Sequence, residues 1–358
     1  MSSPKGIALV GGGIFIKEQH LPAVLATPLL SLKAIYSRSL KSAQSTLDLV
    51  PKEHSPVDLY SDDSGAGKSY KDLLTREDIY GVIIALPIKN QPEFIEAALL
   101  AGKHVFAEKP VGPTAEAAKK QIDWYHSIAD EKRVTWAIAE QVRFVPKFAW
   151  AAAEARKLGK VIGFHFKVFF HIGLDNKYLA TEWRKSPTHP YGFILDGGVH
   201  WIASARLLLG DDTPQSVIAY SSLAQDYLPP VDTVSGVIKT KSGAIGTFNA
   251  SCGTTLSSNE YSVACENGSV TIEGDKGWIR YKDGRKEERE LEFVGGVKEE
   301  IAAWAEALTS GKPNPLQTPE EALKDLELLE AMLKSGDANG APQLALLPTH
   351  QDTLESAA

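Results

Sequence analysis

Over its first 140 residues the chain alternates short, β-rich apolar runs with longer helical stretches, a rhythm few architectures can absorb. Strand-like runs at 6–10, 30–36, 80–86, 104–107 and 134–139 are separated by helical patterns near 16–25, 39–49, 69–75, 91–101 and 114–129. The runs are mostly apolar, as strands covered on both faces tend to be. Strand, helix and strand in this order fold as right-handed crossovers, so the pattern predicts an α/β, doubly wound parallel sheet. The stretch at 91–101 carries the usual punctuation, with Pro92 in its first turn and Gly102 past its end.

Beyond residue 160 the rhythm changes. Strand-like runs at 161–171, 215–221, 232–240, 244–251, 260–266 and 269–273 come with turn signals such as Lys241-Ser242-Gly243 and Glu266-Asn267-Gly268. They predict a second α/β domain on an open, mainly antiparallel sheet, with helices near 195–209, 297–309 and 319–335 covering or flanking it. A chain of 358 residues is long enough for two cores, and the expected division is 1–140, 141–340 and a tail over 341–358. A net charge of −7 argues against binding nucleic-acid backbones. No apolar run approaches the roughly 18 residues of a membrane span. The start, Met1-Ser2-Ser3-Pro4-Lys5, leaves no room for a secretory signal. Cys252 and Cys265 form no C-x-x-C pair and read as reduced thiols, so a cytoplasmic protein is expected. His165 and His171 share a strand face without a third ligand, and no metal is expected.

Four segments carry chemistry. The run Gly11-Gly12-Gly13-Ile14-Phe15-Ile16 follows the first strand and opens a helix. In a dinucleotide site the first glycine makes the tight turn and the second admits the pyrophosphate; Gly11 and Gly13 fill those positions, while Ile16 stands where a third glycine would be. After the second strand, where NAD sites place a carboxylate, the chain reads Ser37-Arg38-Ser39-Leu40-Lys41. Hydroxyl, guanidinium and ammonium groups suit a 2′-phosphate, which favours NADP(H); the plainer alternative is the solvated first turn of a helix. Glu108-Lys109-Pro110 ends the strand at 104–107, at the edge where ligands bind in such sheets, although alone it also reads as a solvated loop. Asp196 and His200 are four residues apart, on one face of a helix if it starts near Asp196. They fit an acid–base pair, or equally a capping aspartate and a packed histidine. The phosphate-loop echo at Gly67-Lys68-Ser69 fails, because Asp62 stands where that motif needs glycine.

In this order the four segments resemble the Gfo/Idh/MocA family of NAD(P)-dependent oxidoreductases, named for glucose–fructose oxidoreductase and inositol dehydrogenase. The most specific parts are Ala101-Gly102-Lys103-His104 with Glu108-Lys109-Pro110, the later Asp196-Gly197-Gly198-Val199-His200, and Glu182-Trp183-Arg184 ahead of it. Gly13-Ile14-Phe15 and Asn176-Lys177-Tyr178-Leu179 are most similar to a fungal, NADP(H)-dependent branch. The resemblance implies a Rossmann domain, a substrate domain whose open sheet often forms a dimer or larger homo-oligomer, and hydride transfer to or from a sugar, polyol or small carbonyl compound. It implies Lys109 beside nicotinamide and substrate, Asp196 and His200 as the acid–base pair, and Glu108 on the nicotinamide-side ribose. Leu86, Pro87 and Asn90 would touch the cofactor, Trp183 and Arg184 would line its nicotinamide end, and Arg143 would approach the substrate. Some members of this fold bind cofactor only as regulators, which is the competing expectation. Leu86, Gln91, Ile16 and Ala203 depart from the family pattern.

Overall fold

The computed structural model describes residues 3–187, 189–292 and 294–346. Two compact units emerge. One is built from the chain up to Phe144 together with Gly295–Leu323, the other from Val145–Val294 and the chain from Lys324.

The first unit holds a six-stranded sheet. Its strands are β1 (Lys5–Val10), β2 (Leu30–Ser37), β3 (Asp58–Ser61), β4 (Gly81–Ile84), β5 (His104–Glu108) and β6 (Trp136–Ala139). They run in the order β3-β2-β1-β4-β5-β6, every neighbouring pair parallel. The order reverses between β1 and β4, which opens the crevice at the carboxyl ends where doubly wound sheets take ligands. β4, β5 and β6 are buried along their whole length, the physical reason β4, β6 and the centre of β5 read as apolar runs. The helix Ala115–Lys132 starts on a Thr114 side-chain cap, and Tyr70–Leu74 on a Ser69–Asp72 capping box. β3 escapes the sequence pattern: only four residues long, it lies among turn-forming residues.

The helix Val297–Ser310 joins this first unit rather than the second sheet, contrary to expectation. Its apolar residues Val297, Ile301, Trp304, Ala305 and Leu308 share a core with Ile7, Leu9, Ile16 and Phe106. The rings of Trp304 and Phe106 lie 5.2 Å apart. Periodicity reveals that a helix has an apolar face, not which sheet that face will meet.

The second unit carries a nine-stranded sheet of β7 (Val161–His171), β8 (Pro214–Ser222), β9 (Thr233–Thr240), β10 (Ile245–Ser251), β11 (Gly253–Cys265), β12 (Gly268–Glu273), β13 (Lys276–Tyr281), β14 (Lys286–Glu290) and β15 (Gln343–Leu344). The order is β14-β13-β12-β11-β7-β10-β9-β8-β15, antiparallel except for the parallel pair β7–β10. One face is buried, with Phe164, Phe166, Val234, Ile238, Phe248, Tyr261 and Val263 pointing inward. β13 and β14 were not foreseen, and β14, Lys-Glu-Glu-Arg-Glu, is exposed throughout with no apolar period to read. The expected tail also needs correction, because Gln343 and Leu344 pair with Val217 and Ser216 of β8. The rest of that tail, 347–358, lies outside the described residues. Cys252 and Cys265 are buried thiols whose burial pushes both above the ordinary thiol range. Among the described residues no helix is long and apolar enough to cross a membrane.

Candidate active site

The first unit gathers the glycine run, the turn over 37–41, the loop over 86–90 and the Glu108-Lys109 pair at one edge of its sheet, at the carboxyl ends of β1, β2, β4 and β5. The glycine run leaves β1 at the order reversal. Gly11 has φ +126°, and a Cβ there would lie 2.4 Å from the Ala85 carbonyl oxygen, so no side chain fits this turn. A Cβ on exposed Gly13 would meet nothing within 4 Å, which leaves room for a close-approaching phosphate. Ile16, in the third-glycine position, is fully buried, and the helix opens with a π turn over Ile16–His20. The turn gains a residue where the bulky side chain enters the core.

Ser37 ends β2 and is buried, while Arg38 and Lys41 are exposed beside the helix Leu40–Leu47. The sequence offers no carboxylate here, but the fold brings one. Asp63, beyond β3, accepts the Leu40 N–H at 2.7 Å and the Ser61 hydroxyl at 2.6 Å, bonds that hold its carboxyl below the usual range. Leu86 and Pro87 are half-buried after β4, and Asn90 is exposed ahead of the helix Gln91–Leu100.

Glu108 ends β5, 9% exposed, and its Oε1 lies 2.7 Å from Nε2 of His20, a fully buried residue that sequence reasoning passed over. Half-buried Lys109 follows it. Two residues of the recognition motif before them do structural work. Lys103 donates to the Arg76 carbonyl at 2.6 Å, and His104 Nδ1 accepts the Thr135 N–H at 3.1 Å. Burial, with the nearby Lys5 charge, pushes the His104 imidazole down to about 4.

Behind this edge lies a second missed residue. Glu300 is fully buried, and neither carboxyl oxygen has a hydrogen-bond partner among the described residues. Burial pushes its carboxyl well above the usual range, Glu108 and Glu140 add to the rise, and Arg143 opposes it. Arg143, expected near the substrate, is buried and donates to the main-chain carbonyls of Leu316 (3.4 Å) and Glu321 (3.2 Å). Those bonds make it a brace within its own unit.

In the second unit the helix bearing Asp196 and His200 spans Gly192–Leu209. It begins at Gly192, ahead of the expected start near 195, behind Tyr191 at φ +65°, so Asp196 sits in the second turn and is not the cap. The capping alternative is therefore removed. A Cβ on Gly198 would come within 2.9 Å of the end of the Leu329 side chain, which would have to shift to admit it. Asp196 is 4% exposed and accepts Arg184 Nε at 2.7 Å. The Arg184 guanidinium also lies over the Trp183 ring, 4.0 Å from its centre. Trp183, Arg184 and Asp196, read separately from the sequence, thus form one cluster. His200 is half-buried one turn on from Asp196, on the same helix face.

Comparison with known proteins matches two domains of one family along the chain. Residues 5–134 match the oxidoreductase-family NAD-binding Rossmann fold, and residues 152–342 match the family's C-terminal α/β domain. The chain belongs to the Gfo/Idh/MocA oxidoreductase family. It is 38% identical to the dehydrogenase FPY6 of Fusarium mangiferae, over 95% of this chain and 98% of that one. It is 26% identical to D-xylose 1-dehydrogenase (NADP(+)) 2 of Haloferax volcanii, over 90% of this chain and 98% of that one. Among solved structures, an oxidoreductase from Thermotoga maritima superposes with a TM-score of 0.82 at 28% identity, covering 96% of this chain and 98% of its own. Both halves of the Gfo/Idh/MocA fold, and the family's oxidoreductase character, are therefore present in this chain.

Proposed function

We propose that this Gfo/Idh/MocA oxidoreductase uses NADP(H) to transfer a hydride to or from the hydroxyl or carbonyl carbon of a sugar, polyol or small carbonyl compound. One observation carries the reading. Four segments from distant parts of the sequence meet at the carboxyl edge of one parallel sheet, around a glycine turn whose Gly13 opens onto free space.

Backbone N–H groups at Gly11–Phe15 would hold the pyrophosphate at the start of their helix. Arg38, Lys41 and the Ser37 hydroxyl would hold the 2′-phosphate, with Asp63 the carboxylate that competes for this corner. Leu86, Pro87 and Asn90 would flank the dinucleotide, Glu108 would take the nicotinamide-side ribose, and Trp183 and Arg184 would line the nicotinamide end. When bound, the cofactor supplies the hydride chemistry. The chain's own part is to orient the substrate and move a proton at its reacting oxygen. Lys109 and His200 are the groups assigned to that proton, and Asp196, fixed by Arg184, sets the charge around His200. The name of the haloarchaeal relative supports both NADP⁺ and a sugar substrate. The buried thiols Cys252 and Cys265 fit a reducing compartment such as the cytoplasm.

The test is loss of NADPH absorbance over a panel of aldehydes, aldoses, ketoses and cyclic ketones. The reading predicts turnover with at least one of them and a preference for NADPH over NADH. Tight nucleotide binding with no turnover across the panel would favour a regulatory protein.

A further inference from the structure

We infer that His20 is a positioning residue for Glu108, fixing the carboxylate that receives the nicotinamide-side ribose without itself holding the adenine half of the dinucleotide. The inference rests on the cofactor reading above. Its basis is the pairing, across 88 residues of sequence, of His20 Nε2 with Glu108 Oε1 at 2.7 Å.

His20 is 0% exposed, and its ring is fixed from two sides. The edges of Phe15 (5.1 Å, 73°) and Phe106 (6.0 Å, 85°) meet it nearly at right angles. Nδ1 has no partner among the described residues, so the proton that matters for bonding lies on Nε2, facing the carboxylate. A carboxyl group this deep keeps one orientation only if a donor holds it. The surroundings make that donor more necessary, because the buried carboxyl of Glu300 lies close enough for its charge and that of Glu108 to repel. His20 also sits seven residues past Gly13, on the helix that the glycine run opens. A merely structural role would therefore disturb the pyrophosphate turn and weaken every nucleotide alike. A role through Glu108 would weaken only ligands that carry the second ribose.

That difference supplies the test. Dissociation constants for NADPH and for adenosine 2′,5′-bisphosphate, which lacks the nicotinamide-side ribose, are measured by titration on wild type, His20→Phe, His20→Gln and Glu108→Gln. The expected result is NADPH binding about tenfold weaker in His20→Phe, the scale of one charge-assisted hydrogen bond, with the bisphosphate unchanged within twofold. His20→Gln, whose amide keeps a donor, should recover most of the loss. In a Glu108→Gln background His20→Phe should add little. Should His20→Phe fail to fold, His20→Leu carries the same comparison. Equal weakening of both ligands, or NADPH affinity within twofold of wild type, overturns the inference. A wild-type protein that binds neither ligand overturns the cofactor reading itself.

Discussion

Asp196 and Glu300 are both buried carboxyls, and their neighbours give them opposite tasks. Asp196 accepts a charge-assisted hydrogen bond from the Arg184 guanidinium. Glu300 meets no donor among the described residues, and other carboxyls lie close by. None of these pairings was legible in the sequence, which supplies residue types at local spacings only. Glycines, lysine and histidine could be picked out because their motifs are contiguous. His20 with Glu108, Asp63 with Leu40 and Arg184 with Asp196 join across loops that no periodicity encodes. The cofactor corner gives a prediction at this scale. Arg38→Ala should weaken NADPH binding about tenfold and leave NADH within twofold, since one charge-assisted contact to a phosphate is worth about 1.5–3 kcal/mol. Fluorescence titration of both nucleotides checks it, and equal losses would show that Arg38 does not face the 2′-phosphate.

Elements with a strong apolar pattern were readable, and those without one were not. The parallel strands and the long helices of the first unit announce themselves by continuous burial and by caps. β3 and β14 do not, being respectively four residues long and wholly exposed. The apolar period of Val297–Ser310 shows a helix but not the sheet it covers, and that helix brings Glu300 into the first unit's interior. A carboxyl raised in the folded state binds more protons there than in the unfolded chain. It therefore lowers stability as pH rises from the ordinary value of 4.5 toward its folded value, and the loss is complete above that value. Glu300→Gln removes the ionisable group while keeping its shape. The variant should melt higher than wild type above neutral pH, with the advantage shrinking toward about pH 5. Melting curves across that range decide it, and a constant offset between the two proteins would mean that Glu300 does not titrate as its surroundings imply.

For the whole molecule, the open face of the second sheet matters most. Paired rows place Ile218 beside Val237, and Ile245 with Tyr220 on the same face, all between 46% and 64% exposed. His165, Thr247 and the Lys167–Glu260 ion pair share that face. Apolar side chains grouped around paired polar ones suit an isologous contact between two copies. Light scattering should give at least twice the 38.8 kDa chain mass at micromolar concentration, and a clean monomer would refute that assembly. The two-domain organisation was visible in the sequence as a change of rhythm near residue 160, whereas the return of 295–323 to the first unit was not. The central claim is that Lys109 and His200 move a proton while the chain holds NADP(H), and its most direct test is kcat beside the NADPH dissociation constant for Lys109→Ala and His200→Ala. Each variant should lose at least about a hundredfold in kcat, the usual contribution of an acid–base group, while binding NADPH within a few-fold of wild type. Near-wild-type turnover in both variants would contradict the account.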